Sequence, residues 1–254
     1  MRNGSNLFKI LYMLFGVLAL GAIISLYFLP MWWVALESHQ YPKAMYPKGI
    51  RIEFKYNGVY NGCEGVRERE ELAMDAGADC LIEMNKINHF IGMYPIVQGV
   101  NDVNEFGEHV PYPVYAGDSI PPEEIPTALK VLDKIMRNAH WFFVLFAILM
   151  LLFIAIPRKK LTWAAILAGL APFYFLAIYI YYLYWYGHNL GLHGGGAFSG
   201  IKPFMPTVFG EGKVAQFTTI SFPDVGFYVG LLGFLLTLVA IHFKNKYIKS
   251  LREV

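Results

Sequence analysis

The chain has 254 residues, of which 56% are hydrophobic, 17% aromatic and only 16% charged, and its mean hydropathy is +0.41. Soluble globular domains carry about 25% charged residues, so this composition argues against a disordered chain, a collagen-like rod or an ordinary soluble enzyme. The 21 basic and 19 acidic side chains leave a net charge of +2, without the basic excess that nucleic acid demands. Two cysteines are too few for a disulfide-dense secreted scaffold.

Four apolar segments are each long enough to span a bilayer, whose core of about 30 Å takes roughly 20 helical residues. They cover residues 8–29, 139–156, 161–186 and 225–243. No β-barrel alternation runs through them, so each is expected to be a helix. Lys9 in the first is within reach of the interface. That segment is longer than a signal-peptide core and no A-x-A site follows it, so it reads as an uncleaved anchor. Trp32 and Trp33 just beyond it read as an interfacial belt.

Basic residues set the orientation. Arg2 and Lys9 flank the first segment, Arg158, Lys159 and Lys160 fill the turn between the second and third, and Lys244, Lys246, Lys249 and Arg252 follow the fourth. The only acid among them is Glu253. Both termini, including the basic tail 244–254, are therefore expected in the cytoplasm of a multi-pass inner-membrane protein. Segments 30–138 and 187–224 are then exported to the periplasm. Residues 31–139 hold 16 acids and 10 bases, so the exported part is acidic.

Within the first exported segment, Ile50, Ile52, Phe54 and Tyr56 alternate with polar neighbours, which predicts a half-buried strand closed by the turn signal Asn57-Gly58. A charged, helix-prone stretch covers 64–74. A second helix is predicted from Cys80 to Gly92, with Leu81, Met84, Ile87 and Ile91 as its apolar stripe. Residues 94–117 read as ordered loop. Asp118 or Ser119 can cap a helix opening at Pro121, and one long helix from Glu123 to Ile156 is predicted. The second exported segment, 187–224, reads as an ordered loop. The expected fold is thus mainly α: four transmembrane helices, a small α+β exported domain between the first two, and an ordered exported loop between the last two.

His89 and Met93 are the sharpest chemical pair. Imidazole and thioether suit copper, and Met84 stands five residues before His89. The two share a helical face if the helix reaches Met93, whereas Gly92 can end it earlier. The alternative is that both methionines are core packing and His89 a hydrogen-bonded helix residue. Cys63 and Cys80, in an oxidising compartment, suit a disulfide better than a metal thiolate site. His188, His193 and Met205 form a looser set, read as an interfacial loop rather than a metal site. Gly194 to Gly196 lack any P-loop or dinucleotide pattern, which argues against nucleotide binding. His140 and His242 stand at span ends with no haem-attachment motif. The apolar cores carry no acid or arginine, which argues against a pump or transporter. No nucleophile–base or paired-carboxylate setting appears, so no enzyme is expected.

Three runs carry a family resemblance: Tyr46-Pro-Lys-Gly-Ile-Arg-Ile, Asn88-His89-Phe-Ile-Gly92-Met93-Tyr-Pro-Ile, and residues 201–219 beginning Ile-Lys202-Pro203-Phe. Together they resemble a family of small multi-pass membrane proteins encoded with nitrous-oxide reductase and its copper-maturation components. The family's Asn-His-Tyr-Ile-Gly-Met run has Phe90 in the tyrosine place here. The stretch holding Cys63 and Cys80 looks like an insertion against that pattern. The resemblance implies a non-enzymatic accessory to nitrous-oxide respiration, in copper supply or in docking the reductase and its copper chaperones. A structural scaffold for an exported redox complex is the main alternative, and an electron-input subunit working near His140 and His188 is a third.

Overall fold

A computed structural model describes residues 2–63, 79–102, 123–190, 202–214 and 216–252. The chain divides into two compact units. A helical unit comprises Met1–Met31, Asn138–Leu176 and Asp224–Val254, and a sheet unit comprises Trp32–Arg137 and Ala177–Pro223.

The helical unit holds α1 (Arg2–Ser25), α4 (Ala139–Ala155), a 3-10 turn (Lys159–Leu161), α5 (Thr162–Gly169), the start of α6 (Ala171–His188) and α7 (Val225–Arg252). Residues Ser5–Ser25 of α1, and α7, are long and apolar enough to cross a membrane. Only 22% and 28% of their most apolar windows are buried within the protein, which leaves the remainder for lipid. The inward side of α7 is built of small residues: Gly226, Gly230, Gly233, Thr237 and Ala240 are buried. They let backbones approach closely, as small residues do in membrane helix pairs. A Cβ on Gly230 would stand 2.8 Å from Pro172 Cβ, and one on Gly233 3.1 Å from Ala22 Cβ. Phe8 and Phe15 stack on Phe243, and Tyr12 on Tyr247, along the α1–α7 contact.

The predicted long helix from Glu123 to Ile156 is two helices. α3 (Thr127–Arg137) ends before Asn138, and α4 begins after it. The division follows composition: α3 is amphipathic, with only Leu129 and Leu132 buried, whereas α4 is apolar all round. The third apolar segment is likewise broken, α5 and α6 being bent by 42° at Leu170. Pro172 has no N–H to continue the α5 ladder and sits in the first turn of α6, where that costs nothing. Counting each bent pair as one span brings the candidate spans from two to four.

The sheet unit is organised by one antiparallel five-stranded sheet of order β3-β2-β1-β5-β4. Its strands are β1 (Trp32–Glu37), β2 (Ile50–Lys55), β3 (Gly58–Asn61), β4 (Gly210–Val214) and β5 (Phe217–Pro223). The β2–β3 hairpin turns at Tyr56-Asn57, one residue before the expected Asn57-Gly58, because Gly58 already pairs with Lys55. The segment 202–223 contributes strands to this sheet, so it is not a loop. Trp32 and Trp33 begin the central strand, paired with Phe54 and Glu53 on one side and Pro223 and Phe222 on the other. Trp32 is buried, and its Nε1 donates to Ser221 Oγ at 2.9 Å. The interfacial-belt reading fails there because the ring packs into the fold against Tyr179.

Pleating sends alternate residues to one side. Trp32, Val34 and Leu36 of β1, Ile50 and Ile52 of β2, and Phe217, Thr219 and Ser221 of β5 are buried on that side, and Ala35 is buried on the other. A second cluster joins Leu129 and Leu132 of α3 to Tyr94, Val97, Tyr182 and Tyr186. Tyr182 Oη donates to Ala128 O at 2.9 Å.

Candidate functional site

Helix α2 (Cys80–Ile91) carries the most specific sequence run, and local chemistry fixes both its ends. Asp79 Oδ1 accepts from Leu81 N at 2.9 Å and Ile82 N at 3.3 Å, an N-cap. At the other end Gly92 adopts φ 81°, Gly92 N donates to His89 O, and Met93 N donates to Asn88 O at 2.8 Å. That left-handed closure suits glycine and stops the helix at Ile91. Helical geometry does not therefore carry Met93 onto the face of His89. Met84 lies about 140° around the helix from His89 at 100° per residue. Met84 is buried, whereas His89 is half-exposed.

The helix has two working faces. Met84, Ile87, Asn88 and Ile91 form the inward one, and Ile82, Lys86, His89 and Phe90 the outward one. Phe90 is 58% exposed and Ile82 46%. Lys86 Nζ donates to Glu83 Oε1 at 2.7 Å.

The inward face borders a groove of about 130 Å³. Val34, Leu36, Ile52 and Phe54 of the sheet form its floor, together with Val214, Phe217 and Thr219. Met84, Ile87, Asn88, Ile91, Met93 and Ile96 form one wall, and Leu183, Tyr186, Phe204 and Pro206 the rest. Ten of these seventeen residues come from the three runs that carry the family resemblance. Chain segments far apart in sequence thus meet at one place. Tyr186 Oη accepts from Val97 N at 3.1 Å and donates to Pro95 O at 2.9 Å. Asn85 Oδ1 accepts from Ile96 N at 2.7 Å. Both polar groups are thereby paired. Neither Tyr186 nor Thr219 was legible as a site residue in the sequence, since each reaches the groove only through the tertiary fold.

A larger, more polar cleft of about 400 Å³ is lined by Glu37, Ser38, His39, Tyr41, Lys43, Tyr46, Gln216 and Thr218, among others. No motif in the chain points to it. Tyr41 Oη donates to Glu83 Oε2 at 3.3 Å. Burial, and then the negative charge and hydrogen bond of Glu83, push the Tyr41 phenol up to about 12.

Cys63 and Cys80 are joined as a disulfide, with Cα atoms 5.9 Å apart, and Asn61 Oδ1 accepts from the N–H of both. His188 ends α6, exposed and stacked on Tyr184 with ring centroids 3.8 Å apart. Its Nδ1 lies 2.9 Å from Tyr184 O. His193 and the helix expected at 64–74 lie outside the described residues. Lys202, Pro203 and Met205 are exposed, beside the Phe204 and Pro206 that line the groove. Among the described residues, no three His, Cys, Asp or Glu side chains gather where a metal ion could be held.

No family model matches the chain, and neither a curated protein nor a solved structure matches it. The protein is one with helices long and apolar enough to cross a membrane, joined in one chain to an antiparallel sheet unit.

Proposed function

We propose that this is a non-enzymatic accessory protein of the inner membrane, both termini cytoplasmic, whose sheet unit works on the periplasmic side. There it docks an exported redox enzyme, and the family resemblance makes that enzyme nitrous-oxide reductase or the copper chaperones that load it. The observation that carries the reading is the outward face of α2, where Phe90 and Ile82 stand exposed beside His89 and Lys86. Large apolar side chains held out on a capped helix are what a protein partner covers. Copper enters as the partner's cargo, because His89 stands on the outward face of α2 while Met84 and Met93 line the groove behind it. The expected result is saturable capture of purified apo-reductase or chaperone by the full-length protein in detergent. Phe90→Glu with His89→Ala should weaken capture at least tenfold while leaving the unfolding midpoint unchanged. Failure to retain either partner removes the reading.

A scaffold role is the second reading. It is favoured by the way the motif is tied into the fold, through Met93 N to Asn88 O and Ile96 N to Asn85 Oδ1. It requires that His89→Ala unfold the sheet unit, with no partner captured by the intact protein.

A further inference from the structure

Two polar side chains, Asn88 and Thr219, line the groove behind α2. Asn88 is 7% exposed and Thr219 6%. Asn88 lies on the inward helical face with Met84 and Ile91. Thr219 lies on the inward side of β5, between the buried Phe217 and Ser221. Both line the cavity. Neither side chain has a hydrogen-bond partner among the described residues, although Asn85 and Tyr186 nearby are paired.

Size and lining narrow the occupant. About 130 Å³ is close to the cavity of about 150 Å³ that takes up a single benzene ring. Apolar side chains dominate the walls, and Met84 and Met93 add a polarizable surface suited to an aromatic ring. Leu183 and Tyr186 line the groove from the last turns of α6, which belong to the sheet unit, and the apolar walls favour a compound of low water solubility.

We infer that this groove binds a single oxygen-bearing apolar ring, the phenol-type head of a lipid-soluble small molecule, with Asn88 and Thr219 hydrogen-bonding its oxygen. The site is separate from the outward face of α2 and does not depend on the proposed partner. The test uses full-length protein in nanodiscs and two matched probes, 4-fluorophenol and fluorobenzene, followed by fluorine NMR. 4-Fluorophenol should show saturable binding at least tenfold tighter than fluorobenzene, relative to empty nanodiscs. Asn88→Leu with Thr219→Val should erase that preference while fluorobenzene still binds. Ile96→Trp, which fills the groove from a loop, should abolish saturable binding of both probes. If the double variant does not fold, Thr219→Val alone, nearly isosteric, should still reduce the preference at least threefold. No saturable shift, or a preference unchanged by these substitutions, overturns the inference. So does saturable binding that survives Ile96→Trp.

Discussion

Lys244 is the least expected residue of the helical unit: a fully buried lysine on an apolar helix. Its Nζ donates to Phe153 O and lies 3.9 Å from the centroid of the Phe153 ring. Tyr12 Oη donates to Ile154 O at 3.2 Å. Both carbonyls belong to the last turn of α4, whose C=O groups have no partner within the helix. Lys244 of α7 and Tyr12 of α1 therefore close the end of α4 from two neighbouring helices. Lys244→Met keeps the apolar stem and removes the donor. It should cost about 2 kcal/mol, read as a lower unfolding midpoint in detergent. An unchanged midpoint would show that the cap contributes nothing. In the sheet unit, burial pushes the Asp102 carboxyl up to about 7, with Asp133 adding to it, while the N–H groups of Gln98 and Gly99 and the charge of Arg137 oppose it. The unfolded carboxyl titrates near 3.9. Between those values the folded state keeps a proton that the unfolded state has lost. Asp102 thus favours the fold below about pH 4, and that contribution disappears as the pH rises through about 7. Asp102→Asn should flatten this slope and raise the midpoint at pH 8. An equally steep decline in the variant would exclude Asp102 as its source.

At the scale of elements, what could be read from sequence was what local chemistry decides. The stripe from Leu81 to Ile91 and the alternation Ile50, Ile52, Phe54 both set their elements, because the spacing of apolar residues and a nearby Gly or Asn suffice. β1 was missed. Its run Trp-Trp-Val-Ala-Leu-Glu alternates weakly, and its partner β5 lies almost the whole chain away, Trp32 pairing with Pro223. No local signal announces a ladder of that span. β4 and β5 were missed because Gly210, Gly212 and Lys213 look like loop, although Phe217, Thr219 and Ser221 alternate as an inward face. The candidate site was half legible: the motif was found, but which side each of its residues faces depends on where α2 stops. Gly92 decides that, so it is the position to test. At φ 81° any side chain with a Cβ costs roughly 1–2 kcal/mol. Gly92→Ala should lower the midpoint by that order, and Gly92→Asn should recover part of the loss, since asparagine tolerates this conformation. Equal effects of Ala and Asn would mean that the closure is not what holds α2 in place.

Across the whole molecule, the sheet constrains how the chain can thread a membrane. β1, β2 and β3 precede α4, and β4 and β5 follow α6, yet all five strands share one set of hydrogen bonds. A sheet cannot straddle a bilayer, so the chain must leave and return on one side between Arg137 and Gly210. With α1 and α7 each crossing, α4 and the α5–α6 pair would either both cross or neither, giving four spans or two. Length supports crossing: the 17 residues of α4 make about 25 Å of apolar helix, close to the hydrocarbon thickness of a thin bilayer. The proposed periplasmic placement rests on two features, the basic residues that flank the apolar segments and the Cys63–Cys80 disulfide, which suits an oxidising compartment. A pair of single-cysteine reporters separates the alternatives, with Cys63 and Cys80 both changed to Ser. Ala44→Cys lies on an exposed stretch of the sheet unit, and Lys160→Cys lies in the turn between α4 and α5. With four spans, a membrane-impermeant maleimide added to intact spheroplasts should label Ala44→Cys alone, and Lys160→Cys only after permeabilisation. Labelling of both reporters from outside would reduce the spans to two. Labelling of Lys160→Cys alone would put the sheet unit in the cytoplasm, and the proposed periplasmic partner would fall with it.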